Sequence, residues 1–218
     1  MRKTIFIAVL LGLLFTVSVM AQSQDARPIQ DDDFAFGRFK LQQIFDKKLA
    51  EFIYGKGKEV KLSAKEMDYV SKVSGENRTY TGNYTVYFYK TAAFMVQENK
   101  IVGAASTCEK GSNPRNLNSF SSVSSVIKAY GQPLDVTNNQ NGWHLLSYYN
   151  TSDENAPTFC IFAPNKENNK NFLRERRTMI SWGTSPVYSS LCAGAIITQE
   201  MFIERMDALK EELNTSSD

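Results

Sequence analysis

Tyr84-Thr85-Val86-Tyr87-Phe88-Tyr89 is the stretch that decides the fold. Tyr84, Val86 and Phe88 alternate with Thr85, Tyr87 and Tyr89, and a period of two residues puts the sets on opposite faces of a β-strand. Both sets are bulky, so one face is expected to pack on helices while the other offers aromatic area. Downstream, Phe94 to Gln97 and Ile101 to Ser106 read as two further strands joined through Glu98-Asn99-Lys100 as a hairpin. Upstream, Ser63 stands three residues before Glu66, the spacing of a capping box, and opens a short helix presenting Met67, Val70 and Val73. Further back, Asp31-Asp32-Asp33 precedes a helical pattern with Leu41, Ile44, Phe45, Leu49, Phe52 and Ile53 near one stripe. The acids suit a helix N-terminus, and Gly55 and Gly57 suit its end.

The grammar restarts after the polar segment Cys108 to Leu117, where Gly111, Asn113 and Pro114 signal turns. Ser119 or Ser121 can cap a helix carrying Val123, Val126, Ile127 and Tyr130, which Gly131 and Pro133 stop. Strands are expected at Trp143 to Tyr149, Thr158 to Ala163, Thr178 to Trp182 and Val187 to Thr198, with a polar loop from Asn165 to Asn171. An amphipathic helix from Thr198 or Gln199, burying Met201, Phe202, Met206, Leu209 and Leu213, closes the chain. The fold class is α+β: helices packed on antiparallel sheet, as two tandem helix-plus-sheet repeats with a C-terminal helix. The expected parts are a signal peptide (1–21), a linker (22–30), a first repeat (31–107), a connecting loop (108–118), a second repeat with the C-terminal helix (119–213) and a tail (214–218).

Two matches support the repeat. Ile53-Tyr54-Gly55-Lys56-Gly57-Lys58-Glu59-Val60 can be laid on Ala129-Tyr130-Gly131-Gln132-Pro133-Leu134-Asp135-Val136, with Tyr, Gly, an acid and Val in register. Tyr84 to Tyr89 and Trp143 to Tyr148 share aromatic-x-aliphatic-x-x-Tyr. The rival account is chance, because Tyr-Gly at a helix end has an ordinary reason: glycine accepts the turn cheaply.

The run Ser122 to Pro133, followed by Trp143 to Tyr149, resembles the short helix, Gly-x-Pro turn and aromatic strand of exported beta-lactamase-inhibitor-protein-like and BamE/SmpA-like domains. The resemblance covers residues 119–150, with a degraded echo in the first half, where Gly55-Lys56-Gly57 replaces Gly-x-Pro. It implies a helix-on-antiparallel-sheet unit, in tandem, whose exposed sheet face binds another protein. It carries over no catalytic residue, and the lipoprotein cysteine of the BamE-type proteins is absent.

Met1-Arg2-Lys3 gives the chain a positive start, and an uncharged apolar run from Thr4 to Val19 leads to Val19-Met20-Ala21, the small or aliphatic pattern a signal peptidase reads. Cleavage is expected after Ala21; a retained membrane anchor is the alternative. The apolar part is short for a span, which needs about 20 residues. Export to the periplasm or the exterior follows, with no stable membrane span after cleavage. Without Arg2 and Lys3 the 218-residue chain has 23 basic against 23 acidic residues. That balance argues against nucleic-acid binding, which draws its affinity from clustered Lys and Arg. A hydrophobic content of 42% with only 12 Gly and 6 Pro describes a globular protein with a real core.

Reaction chemistry is hard to find. His144 is the single histidine, so a Ser-His-Asp or Cys-His mechanism must use it, yet its setting in Trp143-His144-Leu145-Leu146 reads as a strand-face residue. The acidic pairs Asp153-Glu154 and Glu211-Glu212 read as solvated loop and helix. No phosphate loop, HExxH pair, EF-hand or GxSxG elbow occurs, no metal site is expected, and nothing calls for a cofactor. Cys108, Cys160 and Cys192 allow at most one disulfide among three pairings, or none if the thiols act as small hydrophobes. Lys166 to Arg177 is a basic run with its own counter-charges, and Asn77, Asn83, Asn150 and Asn214 open N-x-Ser/Thr triplets. The aromatics are the better hint: Tyr87, Tyr89, Trp143 and Tyr148 are the candidate residues of a protein-binding sheet face. The expectation is an exported noncatalytic binding or assembly module with another protein as partner. The alternatives are a secreted hydrolase using His144 or an acidic pair, and a membrane-tethered periplasmic subunit.

Overall fold

Glu98 and Asn99 take φ of 49° and 64°, the left-handed pair of a two-residue turn whose twist matches the strands it joins. The hairpin they close is one piece of a large sheet in the computed structural model, which describes residues 28–76, 78–109, 113–138, 143–148, 157–164 and 177–215. In chain order the strands are β1 (Ala35–Phe36), β2 (Phe39–Lys40), β3 (Lys58–Ser63), β4 (Asn83–Phe88), β5 (Ala92–Gln97) and β6 (Lys100–Thr107), then β7 (Asp135–Asn138), β8 (Trp143–Ser147), β9 (Thr158–Pro164) and β10 (Met179–Gly183). The helices are α1 (Lys47–Tyr54), α2 (Ala64–Ser74), α3 (Val123–Tyr130), α4 (Pro186–Ile197) and α5 (Gln199–Thr215). The molecule is α+β.

Strands β3 to β10 form one eight-stranded sheet in the order β3-β4-β5-β6-β10-β9-β8-β7, while β1 and β2 make a separate hairpin. Every pairing is antiparallel, and β6 meets β10 at the centre with Ser181 opposite Ala105. The order is mirror-symmetric about that seam. On either side of it a helix precedes four strands, α1 before β3–β6 and α3 before β7–β10, with α2 as an extra segment between β3 and β4.

The leading helices of the two halves start and stop alike. Asp46 caps α1 by accepting from Leu49 N at 3.0 Å, and Ser122 caps α3 by accepting from Ser125 N at 3.3 Å. Each ends in Tyr-Gly, with Gly55 at φ 84°, ψ −172° and Gly131 at φ 82°, ψ −169°, a region open essentially to glycine alone. The tyrosine before each glycine then enters an aromatic triad. Tyr54 packs on Tyr89 and Phe94 with centroids 5.8 Å away in both cases, and Tyr130 packs on Tyr148 at 5.7 Å and Phe159 at 5.3 Å.

Both triads belong to one core, on the sheet face covered by α1, α3 and the β1–β2 hairpin. The hairpin fills the middle of this layer: Phe36 stacks on Trp182 at 5.2 Å, and Phe39 meets Phe94 at 4.8 Å. It is held by an ion pair the sequence did not announce. Arg115 donates through Nε to Asp33 Oδ1 at 2.8 Å and through Nη2 to Asp33 Oδ2, with both side chains only 4% exposed. The guanidinium also donates to Ala129 O and Pro28 O, and it lies 4.3 Å from the Tyr130 ring centroid. The cost of burying both charges offsets much of their attraction, and the hydrogen bonds leave neither charge without a partner.

The other face carries a second core under α2, α4 and α5. The Ser63–Glu66 capping box forms as expected. Helix α4 crosses the central seam, and its backbone comes so close that a Cβ on Gly103 would sit 2.7 Å from Tyr188 Cβ, and one on Gly183 3.1 Å from the same atom. One glycine from each half therefore admits the same helix residue. Ser185 caps α4, accepting from Val187 N at 3.2 Å, and its hydroxyl contacts Tyr80 Oη at 3.0 Å and Glu76 Oε2 at 3.3 Å.

Several expectations need correction. Val187 to Thr198 is not a strand but α4; it is apolar all round because sheet and helices enclose it, so no helical stripe shows in the sequence. Asp31 to Asp33 form a 3-10 turn and lead into the β1–β2 hairpin. Only the last part of the supposed first helix, Lys47–Tyr54, is helical, and Ile44 and Phe52, placed near its apolar stripe, are 71% and 88% exposed. Met201, expected to be buried, is 50% exposed on α5. The edge strands β3 and β7 were not anticipated. Among the described residues, no helix is long and apolar enough to cross a membrane.

Candidate binding face

Strand β8 decides where an open surface lies. Leu146 is fully buried toward α3, so its alternating neighbours Trp143, Leu145 and Ser147 face the other way. Their cross-strand partners on that side are Pro164, Phe162 and Cys160 of β9. In the first half this face is roofed by α2, α4 and α5, but α4 packs along β4, β5, β6, β10 and β9, and among the described residues no helix lies along β7 and β8 here. Trp143, Leu145 and Phe162 are accordingly half-buried, whereas Val86, Phe88 and Met95 in the roofed half are fully buried.

Where the roof stops, a cleft of about 280 Å³ opens, lined by Lys90, Thr107, Trp143, Arg177, Met179, Ile196 and Ile197. The last turn of α4 gives the isoleucines, the β4–β5 turn gives Lys90, and Arg177 precedes β10. The Trp143 indole N–H donates to Arg177 O at 3.4 Å, and the Arg177 guanidinium donates to Glu109 Oε1 at 2.8 Å. Lys90 is exposed.

The four residues proposed from the sequence do not share a face. Tyr87, Tyr89 and Tyr148 lie on the helix-covered side and Trp143 on the open side. Tyr89 and Tyr148 are 1% and 8% exposed, so neither can meet a partner; they are the second members of the aromatic triads. Burial pushes both phenols above the usual tyrosine range, and the Tyr148 hydroxyl donates to Gly131 O at 3.3 Å. Gly57 makes room for Tyr89, since a Cβ there would lie 2.5 Å from its ring. Tyr87 is half-buried, stacked on Phe45 at 4.8 Å, with Lys47 Nζ 5.4 Å from its ring centroid and paired to Glu59 at 3.0 Å.

His144 is half-buried on β8 and points to the opposite side from Trp143. Glu211 and Glu212 are exposed on α5, where the Tyr69 hydroxyl lies 3.5 Å from Glu212; Asp153-Glu154 falls outside the described residues, as does the basic run Lys166 to Arg177 except for Arg177 itself. All three cysteines are free thiols: Cys108 and Cys192 are buried, in different cores, and Cys160 is half-buried. Burial pushes the Cys108 thiol up to about 12 and raises the other two, which suits small hydrophobes rather than nucleophiles. The described residues contain no group of three His, Cys, Asp or Glu side chains that could hold a metal ion.

Sequence reasoning missed Lys90, Met179, Ile196 and Ile197, because the cleft gathers them from turns and helix ends far apart in the chain. The signals for it were Trp143, a large aromatic with a polar N–H in a short strand, and Arg177 at the end of the basic run. Comparison with known protein families, with curated proteins and with solved structures finds no match to this chain.

Proposed function

We propose that the chain is an exported noncatalytic binding or assembly module of the bacterial envelope or exterior, and that another protein docks on the open β8–β9 face beside Trp143. The observation that carries this reading is the half-exposed set Trp143, Leu145 and Phe162 on a sheet face whose other half is roofed by helices. An apolar patch with an aromatic anchor is the usual centre of a protein interface. Export rests on the basic start, apolar run and Val19-Met20-Ala21 pattern of the leader. The tandem-repeat reading draws support from the matched Tyr-Gly helix ends and the paired aromatic triads. Kinship with inhibitor-protein-like and BamE-like domains belongs to the same proposal and rests on Ser122 to Pro133 and Trp143 to Tyr149.

The test is recovery of a protein companion from envelope and medium fractions of the native host. The wild-type chain and a Lys72→Glu variant, altered on the roofed half, should retain a stoichiometric companion that Leu145→Glu loses with its circular dichroism unchanged. Equal recovery by all three rejects the docking face.

A further inference from the structure

We propose that the Trp143 cleft binds a small carboxylic acid with an apolar body, a medium-chain acyl acid being the simplest example. This goes beyond the docking of a protein on the neighbouring strands and requires no partner protein. The cleft's volume, about 280 Å³, falls just below the roughly 300–1,000 Å³ typical of small-molecule sites, which suits a small ligand. Its walls are the Trp143 indole, Met179, Ile196 and Ile197, drawn from three separate elements. These four side chains give the cleft an apolar wall suited to an alkyl chain or an aromatic ring, with Lys90, Thr107 and Arg177 on its polar side.

The polar side of the cleft selects the head group. Arg177 is neutralised by Glu109 at 2.8 Å and shapes the rim through its carbonyl, which the indole N–H holds at 3.4 Å. Lys90 is left as the lining cation with no carboxylate within ion-pair distance among the described residues. An ammonium with no carboxylate partner among the described residues, beside an apolar wall, matches one carboxylate on an apolar body, and a charge-assisted bond next to an indole is less screened than one in open water. The competing role for Lys90 is to complement the C-terminal dipole of α4, whose last turn contributes Ile196 and Ile197. That role makes a stability contribution and no ligand selectivity, so the two can be separated.

The chain has two tryptophans, and Trp182 is fully buried against Phe36, so ligand-dependent fluorescence reports on Trp143. Titration with decanoate below its micellar concentration should give a saturable blue shift, with decanol binding more weakly. Lys90→Ala should weaken decanoate about tenfold, the size of one charge-assisted hydrogen bond, and leave decanol unchanged. Ile197→Asp, at a partly exposed helix end, should repel decanoate without disturbing the core. Trp143→Phe should abolish the fluorescence response, and calorimetric titration reads binding independently of the indole. The proposal is overturned by the absence of saturable binding, by equal binding of acid and alcohol, or by a Lys90→Ala variant with a lower Tm and unchanged decanoate affinity. A chain that binds decanoate yet recovers no companion protein would reject the docking face alone.

Discussion

The two halves of the sheet share a skeleton and differ in what covers them. In each, a short helix ends in Tyr-Gly and its tyrosine stacks on a tyrosine following a strand and a phenylalanine from the next strand. The first half adds α2 and shares α4 and α5 as a roof on its second face, whereas the second half leaves that face open at β8 and pins its tyrosine with Arg115 instead. The triads thus recur as matched packing units in the core that both halves share, and the stretch left without a helix on the second face is confined, among the described residues, to β7 and β8.

The equivalence of the triads is the easiest part to break. Phe94→Ala and Phe159→Ala each remove a fully buried ring and should each cost about 3–5 kcal/mol; chemical denaturation giving similar losses supports equal roles, and a loss confined to one half shows that the likeness is only geometric. The Arg115 device is next. Asp33→Ala leaves a guanidinium buried without its partner and should cost about 3 kcal/mol or more. Combining it with Arg115→Met should recover much of that loss, because the pair would be removed with its burial cost; a double variant as unstable as the sum of the singles would contradict this.

The smallest effect belongs to the roof of the first half. Burial raises the Glu76 carboxyl above the ordinary glutamate value, against the opposing influence of the Ser185 hydroxyl and Arg78. The folded state thus keeps its proton at a pH where the unfolded chain has lost it, so this group's contribution to stability falls as pH rises from the ordinary value through the raised one. Thermal melts of Glu76→Gln across that window should lack this decline, and no second-half variant should reproduce the change.

What could be read in advance follows from where each signal originates. The β4–β6 strands, the Ser63–Glu66 box and the Gly131 helix end depend on neighbours within a few residues, and each is present in the structure. Helix α3 is capped at Ser122, one position beyond the nearer of the expected serines. Strands β3 and β7 escaped notice because they are edges: Lys58, Glu59 and Lys61 interrupt one and Asp135-Val136-Thr137-Asn138 is only four residues long, features that edge strands use to discourage further pairing. Helix α4 was misread for the opposite reason, having no polar side to reveal its period. Tyr89 and Tyr148 were misassigned because alternation tells which residues share a face but not whether a helix will lie on it. Asp33 and Arg115 stand 82 residues apart, and no local pattern connects them.

The seam between β6 and β10 has a consequence for how the molecule is made. Residues 103–107 pair on one side with β5 and acquire their second neighbour only from residues 179–183, so a nascent chain must emerge almost to its end before both edges of β6 are satisfied. Until then β6 presents a bare hydrogen-bonding edge of small and apolar residues, Ile101 to Ala105, the kind of surface that recruits other chains. Closure of the loop and arrival of α4 across it are expected to be late and nearly simultaneous, which makes residues 179–197 the arbiter between a finished sheet and an aggregate.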